Sequence, residues 1–412
     1  MILKEISDRN LFDAFVEKHP YCHYMKTSMW GEFKKKTEGL SYTMLGFYED
    51  NDLAGTAMVL SGTWMMHKYL YVPWGPCIDY ENADQVRMAL TLLKGYADRK
   101  KVLFLRMDPN VLRCEHDILG NVKEDGINNE HVTEQLKSLG FTHKGYGYAY
   151  NGSWTNRYTL MVDLSDDIET VRKRYSKERI RALKRHKTWA VTTHVGSAAD
   201  IPDLMKVEKM LTEQDGFEPH TKEFFQAFFD CFGDHAVLYC TDIDLDTMIS
   251  STEAELQGKK YEKDLKARES VTAMVERTKV LRETWGSPVR IACGLFIRFG
   301  NKSWDLYTYN HKAFNHIRPV DNLHSFAMED MKNHGVTRYD MVGFSGVTTK
   351  DDPEYGLYQY KASFGPEYIE RIGEFDYVRN ENAMKRFRFE KLAVNHVKRK
   401  IWRMKYQKKD KE

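Results

Sequence analysis

Three segments crowd groups able to bind and work on a substrate: Asp340-Met-Val-Gly343-Phe-Ser-Gly346, Leu357-Tyr-Gln-Tyr-Lys361-Ala-Ser-Phe-Gly365 and Glu370-Arg-Ile-Gly373-Glu-Phe-Asp376. The apolar run Tyr339–Val342 reads as a strand ending at Gly343, where a missing Cβ lets a ligand approach the backbone. Lys361 reads as part of a short helical turn facing the same rim. The same residues also suit a tight strand-to-helix connection with a solvated lysine. Trp30-Gly-Glu-Phe-Lys34 sets a lysine one helical turn beyond a tryptophan, and Tyr71-Val-Pro-Trp74-Gly75-Pro76 is a strand ending in a rigid turn. Asp108 closes an apolar strand before Pro109, a position that fits either a turn cap or a substrate contact. The histidines form no HxxxH or HxH pattern, and no GxSxG or GxxxxGK[ST] run occurs, which disfavours metal, serine-hydrolase and P-loop chemistry.

Two cationic stretches stand out against a net charge of only +2. The run from Arg172 to Lys187 carries Arg172, Arg174, Lys177, Arg181, Lys184 and Arg185 with one acid, Glu178, in the window, so the cations lack local partners. Like charges at helical spacing repel, which favours an anionic ligand such as RNA. The terminal stretch alternates Lys385, Arg386, Arg388, Lys391, Lys398, Arg399, Lys400, Arg403 and Lys405 with Phe387, Leu392, Val394, Val397, Ile401 and Trp402. One face of that helix should dock while the other meets phosphate, of RNA or of lipid headgroups.

The elements that must position these groups follow from periodicity. The length of 412 residues and a hydrophobic share of 42% suffice for two or three domains with sizeable cores. Cys22, Cys77, Cys114, Cys231, Cys240 and Cys293 show no CxxC spacing, which points to reduced thiols and a cytoplasmic protein. No apolar run reaches the span of a bilayer, leaving peripheral contact as the only membrane association. A first set of elements contains a helix over Asp8–Lys18, strands over Tyr42–Tyr48, Ala54–Gly62, Lys68–Val72 and Val102–Met107, a helix over Ala83–Arg99, a helix over Val132–Leu139 and a strand over Gly145–Tyr150. A second set opens with a strand over Tyr158–Val162 and one helix over Ile168–Lys187, and ends with a helix over Val320–His334 and a strand over Thr337–Val342. Within it, Leu245, Ile249, Thr252 and Leu256, then Ala267, Val271, Met274, Thr278 and Leu281, step by threes and fours. This spacing fits an antiparallel helical hairpin with a narrow apolar seam.

In combination these segments resemble the Fem family, the aminoacyltransferases that build peptidoglycan bridges in Gram-positive bacteria. The resemblance covers nearly the whole chain. It is carried by Trp30 with Lys34, Trp74-Gly75-Pro76, Arg106-Met-Asp108-Pro109, the basic run, Trp304–Tyr307, the Tyr339-Asp340 to Gly343 turn, Lys361 and Gly373-Glu-Phe-Asp376. It implies an α/β (α+β) fold of two tandem GNAT-like domains with an inserted antiparallel helical hairpin, a coiled coil. Residues 1–152 would form the first domain, completed by a basic helix over 377–412, and residues 153–376 the second, with the hairpin at 243–286. An acetyl-CoA loop is not evident after Tyr309, where His311-Lys-Ala-Phe-Asn-His-Ile-Arg-Pro stands, so the acyl donor should differ.

The donor so implied is an aminoacyl-tRNA carrying Ala, Ser or Gly. The acceptor is a stem-peptide amine of a lipid-linked or UDP-linked peptidoglycan precursor, and no cofactor or metal takes part. The resemblance places Asp108 near the attacking amine, Tyr307 and Lys361 around the acyl-transfer centre, and Lys34, beside Trp30, near the precursor's diphosphate or peptide. Gly343 and Asp305 join the substrate-binding set, and the basic run receives tRNA. An acceptor lysine amine has a reference pKa of about 10.4, so a base is needed; Asp108 and a substrate hydroxyl are both open choices. Two positions depart from the family pattern. His220 and Phe224 replace an arginine and a tyrosine that contact the precursor, and Asp305 replaces the first aromatic of a Tyr-x-Tyr pair. Diphosphate recognition then shifts toward Lys222, as suits a lipid-linked acceptor. The competing readings are a non-catalytic protein that binds RNA or an anionic membrane, and aminoacyl transfer to another amine.

Overall fold

The computed structural model describes residues 1–64, 66–148, 153–215 and 218–392. The chain forms two compact units: residues 1–113 with 128–147 and the chain from Arg371 onward, and residues 114–127 with 148–370.

Unit 1 is built on a sheet of β1 (Ile2–Glu5), β2 (Ser41–Glu49), β3 (Asp52–Trp64), β4 (His67–Val72), β5 (Phe104–Met107), β7 (Thr142–His143) and β15 (Phe375–Val378). The order is β1-β2-β3-β4-β5-β15-β7, and β4 and β5 are its parallel pair, with Val72 opposite Met107. A parallel pair needs a crossover, supplied by helix Ala83–Arg99, whose N-cap Asn82 accepts from Gln85 N. Val86, Ala89, Leu90 and Leu93 repeat at helical spacing and bury against Leu70, Val72, Leu105 and Met107.

Unit 2 repeats the device in a sheet of β6 (Leu112–Glu115), β8 (Tyr158–Asp163), β9 (Val191–Val195), β10 (Ala236–Ile243), β11 (Val289–Phe299), β12 (Lys302–Asn310), β13 (Arg338–Gly343) and β14 (Glu367–Arg371). The order is β6-β14-β8-β13-β12-β11-β10-β9. Here β12 and β13 run parallel, joined by helix Pro319–Asn333, whose Leu323, Ala327, Met328 and Met331 pack on Phe296, Tyr339 and Met341. In the insertion, helix Leu245–Glu255 lies against helix Leu265–Trp285, with Lys279 paired to Glu253 and Arg282 to Asp246. The buried seam runs through Leu245, Met248 and Thr252 on one helix and Val275, Thr278 and Leu281 on the other; Leu245, Thr252, Thr278 and Leu281 fall where the spacing put them, and Met248 and Val275 stand in place of Ile249 and Met274.

Several elements differ from the sequence reading. Residues 145–148 form no strand; the edge strand is the shorter β7, and 149–150 lie outside the described residues. The continuous helix over 168–187 is two, Ile168–Lys173 and Lys177–Thr188, because Ser176 caps the second by accepting from Arg179 N. The chain joins unit 1 from Arg371, ahead of residue 377, because β15 inserts between β5 and β7. Of the terminal stretch, residues 381–392 are helical, with Met384 and Phe387 buried against Phe104. Lys398, Arg399, Lys400, Arg403 and Lys405 lie outside the described residues.

Candidate active site

In unit 2 the parallel register of β12 and β13 ends at Trp304 opposite Asp340. Beyond that pair β12 continues to Asn310 while β13 stops at Gly343, and the gap is a cavity of about 430 Å³ lined by Asp305, Thr308, His324, Val342, Tyr360 and Lys361. The end of β13 is irregular. Its pairing with β8 slips between Asp340 and Gly343, and Val342 sits at φ +61°, a left-handed conformation that a β-branched residue rarely adopts. Two side chains hold it there. Asp340 accepts from Val342 N at 2.8 Å, and Lys361, in helix Tyr355–Ala362, donates Nζ to Met341 O at 2.6 Å, Gly343 O at 2.8 Å and Val342 O at 3.4 Å.

Lys361 is therefore buried, not solvated. Burial pulls its pKa below the usual lysine range, while Asp305 and Asp340 pull the other way. Asp305 is the unusual acid: burial pushes it up to about 6, against a bond from Thr308 Oγ1 and the charge of Lys361. Its neighbour His324, with Nε2 at 3.6 Å, is driven down to about 3 by burial and by Arg179 and Lys361, so it is neutral. The cavity thus sets a carboxyl raised to about 6 beside the buried side chain of Lys361, an arrangement suited to proton transfer.

Tyr307 stands apart from this cavity. A bulge in β12 sets Phe296 opposite Asp305 but Leu295 opposite Tyr307, so the two side chains leave by opposite faces of the sheet. Tyr307 packs among His220, Phe224, Phe225 and Phe228. Tyr307 and Lys361, placed around one centre by the sequence reading, are separated by that single extra residue. His220 is held by the buried Glu208, whose Oε1 lies 2.6 Å from Nδ1 and also accepts from Tyr309 OH at 3.0 Å. Lys222 is exposed in the first turn of helix Lys222–Phe232. Gly343 is close-packed for a different reason than supposed: an added Cβ would lie 2.0 Å from Asn156 Nδ2, so a side chain of the protein occupies that approach.

In unit 1, Asp108 is buried and spans a turn: Oδ1 accepts from Trp74 N at 2.7 Å and Oδ2 from Tyr71 OH at 2.9 Å. Trp74 and Gly75 both have left-handed φ, +58° and +68°. The indole of Trp74 stacks on His23 at 4.2 Å and under the Arg371 guanidinium at 4.5 Å. The capping reading of Asp108 is thus realised. Sequence reasoning missed Lys26, which is buried in the same neighbourhood and whose Nζ lies 3.5 Å from Pro76 O; burial lowers its pKa against the pull of Cys77, Cys22 and Asp108. Lys34 sits 4.7 Å over the Trp30 ring and pairs with Glu38. All six cysteines are free.

The basic run has more partners than its sequence window suggests. Arg172 bonds Glu169 and Glu329, Arg174 pairs with Asp166, and the fully buried Arg179 pairs with Asp321. These acids come from other turns and from helix Pro319–Asn333, which a local window cannot see. Lys177, Arg181, Lys184 and Arg185 remain exposed, and no carboxylate among the described residues lies within ion-pair distance of them.

A model of the FemAB family matches residues 8–389. The chain belongs to the FemAB family. Among FemAB relatives, the lipid II:glycine glycyltransferase of Staphylococcus aureus (strain bovine RF122 / ET3-1) is 26% identical over 424 aligned residues, covering 95% of this chain and 96% of that protein. The protein of the same name from strain Mu50 / ATCC 700699 is 25% identical with the same coverage. The crystal structure of FemX superposes with a TM-score of 0.77 at 21% identity, covering 93% of this chain and 99% of that one, so the two share a fold. Among the described residues no helix is long and apolar enough to cross a membrane.

Proposed function

We propose that this FemAB protein is an aminoacyltransferase that moves an amino acid from an aminoacyl-tRNA to a stem-peptide amine of lipid-linked peptidoglycan precursor, at the membrane surface. The observation that carries the reading is the unit 2 cavity, where Asp305, raised to about 6, stands beside the buried Lys361. An aminoacyl ester is already activated, so transfer needs positioning, a proton acceptor and stabilisation of an oxyanion. The acceptor ammonium first loses a proton to solvent; the neutral amine then attacks the ester carbonyl and gives its second proton to ionised Asp305. The tetrahedral oxyanion forms in the field of Lys361. When the C–O bond to the ribose breaks, Asp305 returns the proton to the departing hydroxyl, leaving an amide. Lys361 already spends its donors on three carbonyls, so its part is charge and the shape of the strand end. Lys34 serves precursor recognition, and Lys177, Arg181, Lys184 and Arg185 meet the tRNA backbone.

The acceptor preference follows from the altered precursor contacts at His220 and Asp305. Incubation with mixed charged tRNAs and either lipid-linked precursor or UDP-linked peptide, read by product mass, tests the reading. Rapid transfer of one residue to the lipid form and slow transfer to the soluble form is the expected result; equal rates refute the acceptor assignment, and no mass gain on either refutes the function.

A further inference from the structure

A second recess lies in unit 1 at the N-terminal ends of β4 and β5, opposite the end that carries Trp74 and Asp108. It measures about 490 Å³ and is ringed by Lys68, Arg99, Lys100, Lys101 and Arg379, with no carboxylate in its lining. All five cations are exposed. Arg379 reaches Asp98 only at 3.9 Å, and that acid also accepts from Tyr377 OH. No carboxylate among the described residues lies within ion-pair distance of Lys68, Arg99, Lys100 or Lys101. Cations at the end of helix Ala83–Arg99 complement its carbonyls, which accounts for Arg99 and Lys100. It does not account for Lys68 and Arg379, which come from other elements and, with Lys101 just past the helix end, add repulsion that an anion would relieve.

The rim is apolar in an unusual way. Met66, at the tip of the β3–β4 hairpin and part of the lining, is 94% exposed, and the neighbouring terminal helix exposes Phe389 at 73% and Leu392 at 69%. Apolar groups held outward beside clustered cations match an interface where phosphate headgroups meet acyl chains. Among the described residues no Phe, Tyr or Trp lines the recess itself, so its wall lacks the stacking surface that single-stranded RNA recognition uses.

We propose that this recess is a seat for anionic phospholipid headgroups, with Met66 entering the acyl boundary, and that it docks unit 1 on the membrane. The inference gives a location to the membrane-surface reading above but rests on unit 1 alone, and its test needs no transfer. Full-length protein is floated with vesicles of phosphatidylglycerol and phosphatidylcholine in equal parts, and with phosphatidylcholine alone. Wild type should bind only the first. The triple variant R99E/K100E/K101E should lose binding on the order of tenfold or more, and Met66→Asp several-fold, with far-UV circular dichroism unchanged in both and melting lowered by a few degrees at most in the triple variant, whose helix end loses its cations. The variant K177E/K184E, altered on the basic run of unit 2, should bind vesicles like wild type. The inference fails if wild type ignores anionic vesicles, if the triple variant binds them normally, or if only K177E/K184E loses them. It also fails if the triple variant loses tRNA binding tenfold while keeping vesicles. Transfer to a soluble precursor peptide, measured alongside, should survive the triple variant; its loss there with vesicle binding intact would overturn this assignment and leave the transfer reading standing.

Discussion

Each unit clamps a left-handed turn with an aspartate and buries a lysine next to it, yet only one arrangement has a carboxyl to spare. In unit 1, Asp108 holds Trp74 N and Lys26 lies near Pro76 O. In unit 2, Asp340 holds Val342 N and Lys361 gathers three carbonyls. Both oxygens of Asp108 are engaged by Trp74 and Tyr71. In unit 2 the clamp is Asp340, which leaves Asp305 beside an open cavity and raised to about 6. The contrast teaches that a buried Asp–Lys pair is a structural device first, and becomes chemistry when a second acid stands next to it with room for substrate.

The comparison breaks most visibly at Asp305. Asp305→Asn keeps size and the Thr308 contact while removing the titrating group, and should lower single-turnover transfer about 1,000-fold. Lys361→Met should cost about 100-fold in transfer. It should also cost about 3 kcal/mol in chemical denaturation, because three buried carbonyls lose their donor. The matching change in unit 1, Lys26→Met, should cost only about 1 kcal/mol, since the desolvation of its amine offsets most of what the long carbonyl contact and the pull of Cys77, Cys22 and Asp108 supply. Equal losses at the two lysines would erase the distinction between the units. Tyr307→Phe should change transfer less than about threefold, because its ring belongs to the aromatic cluster on the other face of β12. A large loss there would place the reacting groups on that face.

Stability carries its own pH signature. A carboxyl raised on folding keeps its proton in the folded state while the unfolded chain, near pKa 3.9, has lost it. Between pH about 4 and 6, stability should therefore fall as pH rises, by about 2 to 3 kcal/mol in total. Urea melts of wild type and Asp305→Asn across that window should differ in this slope.

Much of the fold was legible because periodicity carries it: helices Ala83–Arg99 and Pro319–Asn333 and the strands they join repeat apolar residues at 3.6 and 2. What was missed depends on distant partners. The strands β7, β14 and β15 are short, and nothing local marks where they pair. Lys361 was legible from its own segment and Asp305 as a departure from the family pattern, while the raised acid and the three-carbonyl grip were not, since they arise from burial and tertiary contact. Tyr307, which the resemblance set with Lys361, leaves by the other face of β12 because a bulge at Leu306 inverts the alternation there, and nothing in the sequence marks that bulge. Lys26 gave no signal, as a lone lysine between Met25 and Thr27 looks like any surface residue. Arg172, Arg174 and Arg179 seemed unpaired because Glu329, Asp166 and Asp321 lie outside their window.

The central claim is that Asp305 handles the proton during transfer. Single-turnover rates with charged tRNA and lipid-linked precursor, measured from pH 5 to 8, test it most directly. Wild type should rise through an apparent pKa of about 6, and Asp305→Asn should be slow and lack that inflection. An Asp305→Asn enzyme that turns over at the wild-type rate with the same inflection would contradict the account.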